Sequence, residues 1–204
     1  MLKIGLTGGI GSGKSTIAKI IEILGYPVYI SDRRASSLMN RNQDIRQALI
    51  QRFGENIYLP EGGLNKQQLA SIIFNDKRAI TEVNRIVHPV VTQDFRDWCS
   101  VQKSKLVFFE SAILFESKLE SLFDYIILIS TDMETRIRRV VARDSTSREK
   151  VMERINNQMP DSEKLPKSDF VIYNNDDDRI VKQIHDILQQ LNLSLIHISE
   201  PPRR

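Results

Sequence analysis

The residues with the clearest chemistry are Gly8-Gly9-Ile10-Gly11-Ser12-Gly13-Lys14-Ser15, which fit the pattern G-x-x-x-x-G-K-[ST]. Four of the nine glycines in the 204 residues fall at positions 8, 9, 11 and 13, so the clustering is not compositional. Phosphate oxygens must approach backbone N–H groups closely, and a side chain would block them. A helix opening near Lys14 would add its positive N-terminal end. In such a loop Gly11, Ser12, Gly13, Lys14, Ser15 and Thr16 line the phosphates of a nucleoside triphosphate. Lys14 would reach the β- and γ-phosphates, and the Ser15 hydroxyl would ligate Mg²⁺. The competing reading is a glycine-rich turn with an exposed lysine, and the strand before and helix after it speak against that.

Asp32 follows a second short apolar run, 27–30. Ligands of a parallel sheet bind at the carboxyl ends of its strands, so Asp32 is expected on the edge that carries the glycine loop. A carboxylate there can accept a proton from an attacking hydroxyl or orient it. A helix N-cap fits Asp32 equally well. Residues 136–154 carry Arg136, Arg138, Arg139, Arg143, Arg148, Lys150 and Arg154 against Asp144, Glu149 and Glu153. Arg136, Arg139 and Arg143 share one helix face, and guanidinium forks suit developing phosphoryl charge. A solvated basic face is the alternative. The turn Asp144-Ser145-Thr146-Ser147 could hinge a lid. Glu110 ends a third apolar run and could hold Mg²⁺ through water or contact an acceptor; Glu116 follows six residues later. His88, before Pro89, is either a helix-end hydrogen-bonding residue or an acceptor contact. Cys99 beside Trp98 reads as core filling.

These residues need elements to hold them. Residues 2–7 read as a buried strand, and 14–24 as a helix with Ile17, Ile20, Ile21 and Leu24 on one face and Gly25 at its end. With strand 27–30 this makes a βαβ unit, hence a parallel sheet covered by helices. From 32 to 104 the pattern is mostly helical: 44–53 closed by Gly54, 66–74 after Pro60-Glu61-Gly62-Gly63, 76–87 broken at His88-Pro89, then 90–100. That is more than one crossover needs and predicts an inserted helical subdomain. Strands follow at 105–110 and 124–130. Thr131-Asp132-Met133-Glu134 reads as a capping box opening a helix through Val141, and Thr146-Ser147-Arg148-Glu149 as a second, opening a helix to about Gln158. A strand at 170–173 and a helix over 176–191, striped by Ile180, Ile184, Ile187 and Leu191, close the pattern. Residues 192–204 fit nothing upstream. Ser194 to Pro201 resemble peptides translated from sequencing-adaptor DNA, or form an ordinary loose terminus.

Composition narrows the function. Hydrophobic residues at 41% and charged residues at 27% describe a globular chain rather than a disordered one. One cysteine excludes an intramolecular disulfide and a four-cysteine zinc site, and suits a reducing, cytoplasmic home. A net charge of +3 gives no reason to expect a nucleic-acid partner. No apolar run approaches the ~18–20 residues of a membrane span, and the first residues lack signal-peptide architecture. A guanine-reading N-K-x-D is missing, since Asn65-Lys66-Gln67-Gln68 lacks the aspartate.

From Leu2 to about Leu191 the chain resembles the dephospho-coenzyme A kinases. The resemblance is carried by Gly5-Leu6-Thr7-Gly8-Gly9-Ile10-Gly11-Ser12-Gly13-Lys14-Ser15-Thr16, by Asp32 at the family's catalytic aspartate, and by Leu64-Asn65-Lys66-Gln67-Gln68-Leu69-Ala70 with Ile73-Phe74 in the substrate region. His88-Pro89 matches a family signature, and Glu110-Ser111-Ala112-Ile113-Leu114-Phe115-Glu116 is similar to D-x-P-L-L-F-E. Arg139, Arg143, Gln158, Asp169 and Asn174 fall on the lid and closing-strand pattern. Lys66 stands where arginine is usual, Glu110 where aspartate is, and Ala112 where proline is.

The resemblance implies an α/β fold: a three-layer P-loop kinase core with a parallel sheet, a helical substrate subdomain at about 33–104 and a lid at about 143–168, forming one domain over 1–191. It implies transfer of the ATP γ-phosphoryl group to the ribose 3′-hydroxyl of dephospho-coenzyme A, the last step of coenzyme A synthesis, with Mg²⁺ on Ser15. Asp32, Lys14 and Arg143 would be catalytic, Arg143 would also bind ATP, and Asp32, Lys66, His88 and Glu110 would bind the acceptor. The alternatives are another small-metabolite P-loop kinase, such as a nucleoside or nucleotide kinase, and a nucleotide-binding regulatory switch.

Overall fold

The computed structural model describes residues 1–199, with Phe74, Asn75, Lys77 and 196–199 described through their backbone alone. Residues 200–204, the end of the suspected tail, lie outside the described residues. Five strands form one sheet: β1 (Leu2–Thr7), β2 (Val28–Ile30), β3 (Leu106–Glu110), β4 (Tyr125–Ser130) and β5 (Phe170–Tyr173), in the order β2-β3-β1-β4-β5. β1 pairs in parallel with β3 and β4, and β4 with β5. All five β3 residues are buried, the continuous burial of a parallel strand covered on both faces. Ile4, Leu6, Phe108, Leu128 and Ile129 form the sheet's core, with Tyr29 stacked on Phe109. β1 lies at the centre, so the glycine loop leaves from the middle of the carboxyl edge.

The chain forms two compact units: Met1–Tyr29 together with the chain from Lys103 onward, and Ile30–Gln102. The first holds α1 (Lys14–Ile23), α6 (Met133–Asp144), α7 (Arg148–Asn156), the short α8 (Asp161–Lys164) and α9 (Ile180–Ser199). The second is helical: α2 (Ser31–Arg41), α3 (Gln43–Phe53), α4 (Lys66–Asn75) and α5 (Lys77–Ser100), with α5 packed on the other three. Gly54 ends α3 at φ 87° as expected, and Gly25 follows α1 at φ 89°.

Pro89 does not end a helix: α5 runs through it for 24 residues. Val83, Val87, Val91 and Phe95 are all buried, four residues apart, with Cys99 buried beyond them. Burial of that stripe on both sides of the proline outweighs an interior-proline cost of about 3 kcal/mol. Both capping positions shift by one residue. The N-cap of α6 is Asp132, accepting from Thr135 N at 2.8 Å, because the Thr131 hydroxyl is buried and spent on two backbone carbonyls. The N-cap of α7 is Ser147 rather than Thr146. α9 starts four residues later than expected, since Asp178 accepts from Asn175 N at 2.6 Å and Asp176 pairs with Arg138 and Arg139, holding this stretch as a turn. It also continues to Ser199, where the sequence suggested an unrelated tail. No helix among the described residues is long and apolar enough to cross a membrane.

Candidate active site

β1 passes directly into the glycine loop, and Gly13 is the N-cap of α1 at φ 89°. The first turn of α1 carries no acidic residue of its own to offset its positive end. The glycines answer to more than an incoming phosphate. A Cβ at Gly13 would lie 2.1 Å from Asn174 Nδ2, and one at Gly11 2.6 Å from the Arg136 carbonyl oxygen. α6 and the turn after β5 therefore lie directly against the loop. The Ser12 carbonyl accepts from Asn174 Nδ2 at 2.7 Å and from Thr131 Oγ1 at 3.2 Å. Ser12 Oγ is buried without a hydrogen-bond partner among the described residues, a donor of the kind a phosphate oxygen would satisfy.

Lys14 curls back over the loop, its Nζ donating to the Gly8 carbonyl at 2.9 Å and the Gly9 carbonyl at 3.2 Å. Ser15 and Thr16 are exposed in the first turn of α1. Glu110 ends β3 opposite Leu6, two residues before the loop begins, and is 6% exposed. A hydroxyl at Ser15 and a carboxylate at Glu110 are hard oxygen donors that suit Mg²⁺, which takes few protein ligands and keeps phosphate and water. Among the described residues no group of three or more His, Cys, Asp or Glu is placed to hold a metal.

The three arginines expected on one face have different fates. Arg136 is buried under the loop and donates through Nε to the Ile10 carbonyl at 2.9 Å. Arg139 donates to the Asn174 carbonyl at 2.9 Å and to Asp176 at 3.1 Å. Arg143 is exposed at the end of α6, gripping Asp144 at 2.7 and 3.1 Å. Asp144 also accepts from Arg154 at 2.8 Å, and the two guanidiniums hold its carboxyl far below the usual carboxylate range. Arg148 pairs with Glu134 at 2.6 and 2.7 Å. Part of the basic stretch is thus an ion-paired surface joining α6 to α7.

The segment after α7, placed by the sequence inside the lid, is tied to the sheet unit. Gln158 accepts from Ile10 N at 2.8 Å and Glu116 from Met159 N at 2.8 Å, and just beyond the expected lid Asp169 accepts from Ile126 N at 2.7 Å. Lys164 is wholly buried, with its Nζ 3.0 Å from Glu116. Lys164 escaped the sequence reading, as a lone lysine in a polar stretch carries no burial signal.

In the helical unit, α2 takes Ile30 as its N-cap without a side-chain bond, so Asp32 is not the cap. Asp32 lies exposed in the first turn, where its charge favours the helix dipole. Lys66 opens α4 behind the N-cap Asn65, whose side chain accepts from Gln68 N at 3.1 Å. His88 is half-buried in α5, and burial lowers its pKa below the usual value. The acceptor candidates of this unit therefore lie on three separate helices, and Glu110 belongs to the sheet unit.

The family model for dephospho-CoA kinase matches residues 2–179. A dephospho-CoA kinase of Bacteroides fragilis is 39% identical over 188 residues, covering 92% of this chain and 91% of that protein. Among solved structures, a Thermus thermophilus protein superposes with a TM-score of 0.77 at 31% identity, covering 98% of both chains. The dephospho-CoA kinase from Campylobacter jejuni gives 0.68 at 27% identity, covering 93% of this chain and 96% of that one. Matched from its first strand to the turn before α9, with a phosphate loop at the centre of a parallel sheet, the chain belongs to the dephospho-CoA kinase family.

Proposed function

We propose that the chain transfers the γ-phosphoryl group of ATP to the ribose 3′-hydroxyl of dephospho-coenzyme A, giving coenzyme A and ADP. The observation that carries this reading is a complete glycine loop, entering α1 at Gly13, in a chain that matches the family over 2–179. Loop N–H groups and the end of α1 hold the phosphates. Lys14 exchanges the Gly8 and Gly9 carbonyls for β- and γ-phosphate oxygens. Ser15, with Glu110 through water, would hold Mg²⁺, which when bound neutralises charge on the β- and γ-phosphates. Asp32 accepts the proton of the 3′-hydroxyl as its oxygen bonds to the γ-phosphorus and the bond to ADP breaks in line. Arg143 exchanges Asp144 for the transferring group, and Lys66 and His88 contact the acceptor. The lone buried thiol, Cys99, supports a cytoplasmic setting.

The nucleoside-kinase and regulatory-switch alternatives find no support in the family match. The test is incubation of purified protein with ATP, Mg²⁺ and dephospho-coenzyme A, with a nucleoside panel alongside. Coenzyme A is the expected product. A folded protein that forms none, or that prefers a nucleoside, overturns the reading.

A further inference from the structure

Three attachments converge on Ile10, within the phosphate loop. Its N–H donates to Gln158 Oε1 at 2.8 Å, and its carbonyl accepts from Arg136 Nε at 2.9 Å. Its side chain packs against Ile137, Val140, Val151 and Ile155, the cluster shared by α6 and α7. Both polar groups of one loop residue are thus held by side chains from outside the loop. Arg136 also fills the space beside Gly9, where a Cβ would fall 2.0 Å from its guanidinium.

The surroundings of Arg136 say what the contact is for. Its side chain is 8% exposed, and its counter-charge Asp161 is 3.8 Å from Nη1, too far for a hydrogen bond. Asp161 accepts from Ser130 Oγ at 3.3 Å, while its Oδ1 is buried with no hydrogen-bond partner among the described residues. A buried guanidinium with so loosely placed a counter-charge is a poor source of stability. What it does well is fix the position of the carbonyl it touches.

We propose that Arg136 and Gln158 are positioning residues for ATP, clamping Ile10 through its N–H and its carbonyl so that the loop holds its phosphate-binding conformation before nucleotide arrives. Arg136 belongs to the first turn of α6, and Gln158 lies two residues beyond α7. The two helices grip the loop from the ends remote from their connecting turn. Without the clamp, only a fraction of molecules has the competent loop, and apparent ATP affinity falls by that fraction.

This inference rests on the reading of the loop as an ATP site, and its test separates the two. Arg136→Met removes the donor and keeps the length, Arg136→Gln keeps an N–H without the charge, and Gln158→Leu removes the acceptor. ATP affinity is measured by calorimetry without acceptor, beside the KM for each substrate. The Met and Leu variants are expected to weaken ATP binding roughly 10- to 100-fold, the range for orphaning a buried polar group. Their KM for dephospho-coenzyme A stays near that of the unaltered chain, and Arg136→Gln recovers most of the ATP affinity. A purely structural role would lower the folded fraction and leave the ATP KM unmoved. Unshifted ATP affinity in both the Met and Leu variants overturns the clamp. So does an Arg136→Gln variant as weak as Arg136→Met, which would reduce Arg136 to the counter-charge of Asp161. Should the variants not fold, amide exchange at Ile10 in the unaltered, nucleotide-free protein decides: protection is expected, and rapid exchange overturns the clamp. An unaltered protein that binds no ATP would instead overturn the ATP reading.

Discussion

The backbone of the phosphate loop in the sheet unit and the acceptor candidates of the helical unit are held in different ways. Around the phosphate loop the protein supplies partners in advance: Asn174 and Thr131 for the Ser12 carbonyl, Arg136 and Gln158 for Ile10. In the helical unit Asp32 and Lys66 stand exposed in the first turns of α2 and α4. Oriented dipoles that need no rearrangement stabilise developing charge most effectively, which is what transfer from a triphosphate requires. On the proposed function, the contrast is between a loop backbone held in advance and acceptor candidates spread over three helices.

The most severe test of that contrast is Lys14→Ala. Turnover should fall about 10³-fold or more, given that even a neutral donor to developing charge is worth 10²–10³. The fold should persist, as Lys14 fills no core; circular dichroism beside steady-state rates would show this, and unchanged turnover would remove the loop from the mechanism. Next is Lys164→Met. It strands Glu116 with no buried cation and should cost about 3–5 kcal/mol of stability in a denaturant titration. A loss below 1 kcal/mol would mean that the segment after α7 is not anchored by this pair.

Asp32→Asn carries the comparison into the helical unit. As a base it should be worth about 10²-fold in turnover, the low end for general bases, because a loose transition state asks little of it. Since Ile30 occupies the cap, Asp32→Ala should leave stability within about 1 kcal/mol, the helix-dipole contribution alone. Near-normal turnover in the Asn variant would take Asp32 out of the reaction.

The smallest effect concerns His88. Burial lowers its pKa, so near pH 6 the unfolded chain binds more protons than the folded one. Its contribution to stability is complete above the ordinary pKa of about 6.5 and is lost as pH falls through the lower folded value. Melting temperatures at pH 7.5 and 5.5 should converge slightly in His88→Gln, and an unaltered difference would place the proton elsewhere.

Much of this was legible in the sequence, for a physical reason. The glycine loop, all five strands and the helical stretch between β2 and β3 are local patterns of period and punctuation. What stayed hidden depends on partners remote in the chain. Thr131 looks like a cap until the Ser12 and Asn174 carbonyls claim its hydroxyl. Pro89 looks like a stop until the apolar stripe of α5 is seen to continue past it. Lys164 looks solvated until Glu116, 48 positions earlier, is found beside it. Arg136 and Arg143 are indistinguishable by spacing, yet one is buried beneath the loop and the other is exposed.

The central place of β1 also bears on the order of assembly. β1 leaves the ribosome well before the two strands it pairs with, since β3 and β4 begin at residues 106 and 125. At about 5–20 residues per second, the apolar strand that ends in the phosphate loop waits several seconds for them. The intervening 30–102 stretch forms its own unit from one continuous run, although its α2–α5 contact joins residues as far apart as Arg34 and Asp94. The nucleotide motif, written before the strands that flank it, is thus built only after them.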